Sequence, residues 1–241
     1  DYSNALLDIM DKVRRKYPDV TFMLCSGGGG RIDYASMKNF DEYWISDNND
    51  PLQRIFTQWG TQYFFPTIGL ASHVSVSPNH ISGRSTPLKF RFDIAMAAKL
   101  GMDLQPVQMT GEEKVFSRKA IETYKEIRKT VLHGDLYRIL SPYKNNRTVF
   151  MYVSEDKNEA IVFNFLVRKE IKTNTQTIFL RGLDPDKKYT VKEINKISQE
   201  WSRSSVYEGK EFSGDYLMTV GMTFPMYNEY ESVVLHLNSV K

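Results

Sequence analysis

Two patterns of apolar positions divide the chain. In the first part, residues 3–17 place apolar side chains at helical spacing, and the runs Val20–Cys25 and Tyr43–Ser46 are typical of short buried strands. From Arg147 onward, apolar and polar residues alternate in runs such as VFMYVSED and EAIVFNFLV, with turn residues between them. Helices between buried strands predict a parallel α/β unit, whereas alternation at period two predicts an antiparallel sandwich.

The remaining segments of the first part carry weaker signals. Residues 34–40 and 50–60 are predicted helices, the second with Pro51 at its first helical position. The capping box that begins at Thr110 predicts a helix to about residue 132. Residues 62–69 are expected to be extended, residues 90–100 helical or strand-like, and residues 72–84, rich in Ser, Pro and Asn, to form a long loop.

The predicted fold class is therefore α/β followed by all-β, with domains at residues 1–142 and 143–241. A closed (β/α) barrel needs eight parallel strands and about 200 residues or more. The first domain supplies only two to four strand–helix units. Either other sequence completes a barrel, or this part of the chain folds differently.

Composition excludes several function classes. The net charge is +3 with no dense basic block, so nucleic acid is not an expected partner. A single cysteine excludes an internal disulfide, and no apolar run is long enough to span a membrane. The single cysteine and the lack of a visible signal peptide favour a cytoplasmic location.

The strongest candidates for functional residues are a run of glycines and the aspartate that follows the next strand. Four glycines, residues 27–30, let the backbone approach a ligand closely, although the lysine of a phosphate-binding loop is missing. Asp47 follows the strand that contains Trp44, where a barrel places its active residues. Considered without any resemblance, Asp47 is more typical of a turn or cap than of a catalytic residue, and Asp50 before Pro51 is a natural N-cap.

Other polar groups have plainer interpretations. His73 and His80 fall in the predicted loop, but their spacing is not that of a zinc site, so we expect no metal. Arg31 and Asp33 follow the glycines and are expected to pair with each other and support the loop. In the β domain, Tyr207, Trp201 and Tyr216 could form a sugar-binding platform, although core packing is the more ordinary role of such aromatic residues.

Several segments in the same order resemble one known family. CSGGGGRID, ISDNND, GLASHVSVSPNH, HGDLYRILSP and FSGDYLM resemble the C-terminal half of glycoside hydrolase family 36, the bacterial-type α-galactosidases. The resemblance implies that strands six to eight of a (β/α)8 barrel lie here and that a C-terminal β domain helps subunits assemble. It further implies a homo-oligomer, an α-galactoside oligosaccharide as substrate and no cofactor, because two carboxyl groups and water suffice.

The resemblance also assigns roles to individual residues. Asp47 matches the general acid/base of a retaining mechanism, and an acid of this kind would hold its proton better if buried beside Trp44. Cys25 and Gly28 match positions beside the sugar's 2-hydroxyl, and Trp44 is expected to contact substrate. Arg31 and Asp33 would support this pocket from behind.

One expected part of the site is missing. The family's nucleophile is an aspartate in a Lys-Trp-Asp motif on an earlier strand, and this chain contains no such motif. The resemblance therefore predicts one half of an α-galactosidase whose N-terminal half is a separate or preceding segment. The alternative function is a galactose-binding or assembly module without catalysis.

Overall fold

The computed structural model describes residues 2–169, 175–197 and 206–240. Trp201 lies outside the described residues. The first part of the chain alternates helices and strands, and its strands form one sheet. Its elements are α1 (Tyr2–Lys16), β1 (Met23–Leu24), β2 (Glu42–Trp44), α2 (Pro51–Thr61), β3 (Leu70–Ser75), α3 (Leu88–Met96), β4 (Lys99–Asp103) and α4 (Gly111–His133).

The sheet of the first part is entirely parallel, in the order β1-β2-β3-β4. It has four strands where the resemblance implied three. Residues 72–75, predicted as the start of a loop, belong to β3, which pairs with strands on both sides. Ser72 and His73 are polar and interrupt the apolar run, so the pattern of apolar residues does not predict this strand. Each of the two side chains is accommodated by a specific contact within the fold.

Local chemistry explains where the helices begin. The Asp50 carboxylate accepts a hydrogen bond of 3.0 Å from Gln53 N, so α2 starts at Pro51 as predicted. The capping box at Thr110 is present and opens α4. The predicted helix at residues 34–40 is wrong in extent, since only a 3₁₀ turn at Ser36–Lys38 forms. Residues 62–69 form turns rather than an extended segment.

The second part is antiparallel, as the alternation predicted. Six strands form one sheet in the order β10-β9-β12-β7-β6-β5, and a pair, β11-β8, packs on one of its faces. The elements are β5 (Asp135–Leu140), β6 (Arg147–Val153), β7 (Glu159–Leu166), β8 (Thr175–Ile178), β9 (Lys188–Ile194), β10 (Glu211–Ser213), α5 (Gly214–Thr219), β11 (Met222–Pro225) and β12 (Ser232–Ser239). Strand β5 lies before the expected boundary at residue 142, yet it pairs with β6.

The two parts share one apolar core. Side chains of α2, α3 and α4 pack on the face of the large sheet opposite β11-β8. Within this core the Tyr152 hydroxyl donates to Ala97 O at 2.7 Å and accepts from Gln62 Nε2 at 2.8 Å, and burial raises the pKa of Tyr152 to about 12. Buried Asp93 of α3 accepts a hydrogen bond of 2.6 Å from Ser232 of β12. These contacts fix the parallel sheet relative to the β domain.

The described helices, from α1 to α5, include none that is both long and apolar enough to cross a membrane. In residues 2–169, 175–197 and 206–240, no group of three or more His, Cys, Asp or Glu side chains is arranged to hold a metal ion.

Candidate active site

The candidate site lies where β1 and β2 end. These strands are parallel neighbours in register, with Leu24 opposite Tyr43. The segments that follow them, the glycine loop and Ile45–Asp47, therefore leave the same edge of the sheet side by side. The topology brings together Cys25, Gly28, Trp44 and Asp47, which the sequence analysis singled out.

Gly28 holds the glycine loop against the segment that carries Asp47. Its φ is +73°, and a Cβ there would lie 2.9 Å from Ser46 Cα and 3.0 Å from Asp47 N. A Cβ on Gly29 would lie 3.0 Å from Ile45 O. Backbone therefore packs on backbone along these segments, and only glycine allows an approach this close.

Asp47 has an exposed side chain with one defined partner. The indole Nε1–H of Trp44 donates a hydrogen bond of 3.1 Å to Asp47 Oδ1. The expectation that Asp47 is buried beside Trp44 is therefore wrong for these residues. The indole N–H orients the carboxylate, and Asp47 Oδ2 has no hydrogen-bond partner among the described residues.

Two side chains contact the Trp44 ring, the cationic Arg54 and the aromatic ring of His73. The Arg54 guanidinium carbon lies 5.5 Å from the centre of the Trp44 ring, and the His73 imidazole meets the indole with ring centres 4.6 Å apart and planes at 61°. Burial lowers the pKa of Arg54 to about 10, and the nearby Asp103 carboxylate opposes this change. Arg54 therefore keeps its charge at neutral pH.

Cys25 is exposed and is not part of a disulfide. It follows β1 directly, so it stands at the same edge of the sheet as Asp47. Free cysteines are more often buried in the core, and Cys25 departs from that rule.

Arg31 and Asp33 have different partners, so the expectation that they pair with each other is wrong. The Arg31 guanidinium lies 5.4 Å from the centre of the Tyr2 ring of α1. Asp33 Oδ1 accepts a hydrogen bond of 2.7 Å from Ser36 N, which starts the following turn. Each still anchors one side of the glycine loop, Arg31 to a helix and Asp33 to a turn.

A network of amides and carboxylates lies behind the Asp47 segment. Asn49 donates to Asp103 of β4 and accepts a hydrogen bond of 2.8 Å from Asn79 Nδ2. Because Asn49 and Asn79 are buried, these bonds tie the end of β2 to the loop after β3 and to β4. The residue types gave no signal of this network, since its members are far apart in sequence.

Asp50 is structural, as its position before Pro51 indicates. Its buried carboxylate accepts hydrogen bonds from Ser82 Oγ at 2.5 Å and forms an ion pair of 2.7 Å with Arg84. Burial opposes ionisation of Asp50, but the bonds from Ser82, Gln53 N and Arg84 outweigh it and hold its pKa below the usual range.

This ion pair predicts a pH-dependent loss of stability. A carboxyl group with a lowered pKa in the folded state stabilises the fold above its unfolded pKa, and this contribution is lost as the pH falls through the lower folded value. Asp50→Asn keeps a capping oxygen but loses the charge, so we expect it to cost about 2–3 kcal/mol at neutral pH. Thermal unfolding from pH 7 to pH 3 should show this difference shrink below about pH 4. A difference that is constant across the range would contradict the assignment.

Of the aromatic residues considered for a sugar-binding platform, Tyr207 and Tyr216 lie in the described part of the β domain. Tyr207 is buried, and its hydroxyl accepts a hydrogen bond of 2.8 Å from Thr223 N. Tyr216 stacks on Phe212 with ring centres 5.3 Å apart. Tyr207 therefore has the core-packing role that such residues ordinarily provide, whereas Tyr216 is 36% exposed and packs on Phe212 at the surface.

Two family models match the chain, and together they cover most of it. One, described as Melibiase, matches residues 1–134, and the other, described as the glycosyl hydrolase family 36 C-terminal domain, matches residues 147–237. These matches place the chain among the glycoside hydrolases. It belongs to the melibiase family, glycoside hydrolase family 36.

Similar proteins are named α-galactosidases. The chain is 32% identical, over its whole length, to α-galactosidase AgaA of Geobacillus stearothermophilus, and it covers 31% of that protein. It is 35% identical to α-galactosidase Mel36A of Lactobacillus acidophilus, covering 99% of this chain and 31% of Mel36A. The crystal structure of AgaA superposes with a TM-score of 0.88 over 97% of this chain and 30% of AgaA. The chain thus spans about a third of these relatives' length.

Proposed function

We propose that this chain is the part of a retaining α-galactosidase that carries the general acid/base, Asp47. The observation that supports the proposal is the carboxylate at the end of a parallel strand, oriented by the Trp44 N–H and backed by the glycine loop. Crystal structures of AgaA variants in complex with raffinose and with stachyose support α-galactoside oligosaccharides as the substrate class.

In this proposal the chemistry needs two carboxyl groups. The nucleophile, which this sequence does not contain in its expected motif, comes from another segment and attacks the anomeric carbon to form a galactosyl-enzyme. Asp47 gives its proton to the leaving oxygen in this step. In the second step the ionised Asp47 takes a proton from water, which attacks the same carbon and releases galactose with retained configuration.

The neighbours of Asp47 would define the sugar pocket. The Cys25 thiol and the Gly28 backbone would lie beside the 2-hydroxyl, and Trp44 would contact the sugar while orienting Asp47. A close-fitting glycine loop leaves little room for an N-acetyl group, which favours galactose over N-acetylgalactosamine. Arg31 and Asp33 would keep the loop in place through Tyr2 and Ser36.

The same proposal makes the four-stranded parallel sheet one part of a larger barrel. Four parallel strands, with β1 and β4 as the outermost of the described strands, suit the C-terminal part of a (β/α)8 barrel. The rest of the barrel would come from the segment that carries the nucleophile. The β domain would then cap the barrel and contribute to a homo-oligomer.

The test is hydrolysis of p-nitrophenyl α-galactoside by the protein made from the complete reading frame, followed by NMR of the first-formed sugar. We expect turnover with α-galactose released first, which is the retained product. Release of β-galactose would contradict the retaining mechanism. Saturable galactose binding without turnover would instead support the non-catalytic module.

A further inference from the structure

His73 is a side chain that the proposed chemistry does not use, although it lies beside the site. It sits on β3, where the sequence pattern predicted a loop, and its imidazole makes an edge-type contact with the Trp44 indole, with the ring planes at 61°. Neither ring nitrogen of His73 has a hydrogen-bond partner among the described residues. Its defined contacts at the site are therefore those of an aromatic ring.

Gly101 of β4 makes room for the His73 ring. The two residues are paired across β3 and β4, and a Cβ on Gly101 would lie 2.3 Å from both Cδ2 and Nε2 of His73. No such contact is tolerated, so any larger residue at position 101 would push the imidazole away. The ring is thus confined between Gly101 and Trp44.

Arg54 also contacts the Trp44 indole, but this contact does little to restrain the rotation of the ring. One guanidinium nitrogen, Nη1, donates to Ala71 O at 3.3 Å, whereas Nε and Nη2 are buried and have no hydrogen-bond partner among the described residues. Its contact with Trp44 is a cation over a ring face, which tolerates sliding. The edge contact from His73 is therefore the more specific restraint on the rotation of the indole.

We propose that His73 is a positioning residue for Asp47, which acts by fixing the Trp44 indole so that its Nε1–H stays on Asp47 Oδ1. The chain of contacts is continuous, from Gly101 to His73, from His73 to Trp44 and from Trp44 to Asp47. Without His73, the indole can rotate, and the exposed Asp47 carboxylate loses its only defined partner in the described part of the chain. The inference rests on the proposed role of Asp47 as general acid/base.

A neutral His73 imidazole is compatible with packing on the Trp44 indole beside the positively charged Arg54. Burial lowers the pKa of His73, and the neighbouring Arg54 charge lowers it further, against smaller opposing effects of Asp103 and Glu42. The imidazole is therefore mainly neutral at pH 7. A neutral ring avoids repulsion with Arg54 and leaves the edge contact with Trp44 intact.

The test compares two substrates that differ in their need for an acid. In the protein from the complete reading frame, kcat/KM reports formation of the galactosyl-enzyme. That step needs protonation of the leaving oxygen for melibiose but much less for p-nitrophenyl α-galactoside. We expect His73→Ala to lower kcat/KM for melibiose about tenfold while the value for the aryl substrate changes by less than about threefold.

Gly101→Ala provides an independent way to move His73. We expect it to reproduce the selective loss with melibiose, and to add nothing further in the double variant with His73→Ala, because no ring remains to be displaced. His73→Phe, which keeps an aromatic edge without ring nitrogens, should retain most of the melibiose activity. Gly111→Ala, at a glycine with open space around it, is the matched control.

The outcomes separate this inference from the proposed function. Equal losses on both substrates for His73→Ala, or additive losses in the double variant, would overturn the positioning role and indicate a general effect on folding. If Asp47→Ala lowers kcat/KM equally for melibiose and for p-nitrophenyl α-galactoside, the acid/base assignment fails instead. A selective effect at Asp47 with none at His73 or Gly101 would reject the inference alone.

Discussion

Asp47→Ala should abolish nearly all hydrolysis of melibiose by the complete protein. General acid–base catalysis contributes about 10²–10⁴ in rate, and melibiose has a poor leaving group, so we expect kcat/KM to fall about 10³-fold or more. For p-nitrophenyl α-galactoside, kcat/KM, which reports formation of the galactosyl-enzyme, should fall less, because p-nitrophenolate leaves without a proton. The measurement is steady-state kinetics on both substrates.

Azide provides a direct check of the role of Asp47. In the variant that lacks the base, azide can attack the galactosyl-enzyme without deprotonation, so turnover of the aryl substrate should recover and yield α-galactosyl azide. Formation of the β anomer would instead assign Asp47 as the nucleophile. Asp19→Ala, which removes an exposed aspartate that precedes β1 whereas the site follows it, is the control and should leave both substrates unaffected.

The sequence predicted the elements whose signals are local. The alternation after Arg147 gave the antiparallel sheet, and Asp50 before Pro51 gave the start of α2, because each pattern depends only on near neighbours. The run that contains Ser72 and His73 gave the wrong element. Both polar side chains are accommodated by distant partners, Ser72 by Gln58 and His73 by Gly101, which no local pattern records.

The candidate site was only partly predictable for the same reason. A glycine run and an aspartate after a strand are visible as motifs, and the resemblance added a role for each. The contacts that orient them come from other elements: His73 on β3, Arg54 on α2 and the amide of Asn49 bonded to Asp103 on β4. Adjacency in sequence correctly suggested that Trp44 contacts Asp47, but it did not predict that Asp47 is exposed or that Arg31 and Asp33 have separate partners.

Gly28→Ala should damage the site by displacing the segment that carries Asp47. The φ of +73° already costs an alanine about 1 kcal/mol, and the added Cβ would press on Ser46 Cα and Asp47 N. Both contacts are with backbone, which cannot rotate away, so the segment that carries Asp47 must shift. A displacement of about 1 Å at a catalytic group can cost about 10²-fold in rate, and we expect at least that loss of kcat/KM for melibiose.

Gly27→Ala separates the two causes of that loss. Gly27 also has a positive φ, +56°, but a Cβ there would meet nothing within 4 Å. Both variants should lower the thermal unfolding midpoint through backbone strain, and only Gly28→Ala should lose activity by about 10²-fold, because only its Cβ reaches the Asp47 segment. Equal activity in the two variants would mean that the contact between the glycine loop and Ser46–Asp47 does not hold the acid/base in place. The loop would then serve the sugar alone, and the orientation of Asp47 would depend on Trp44 and the side chains that restrain it.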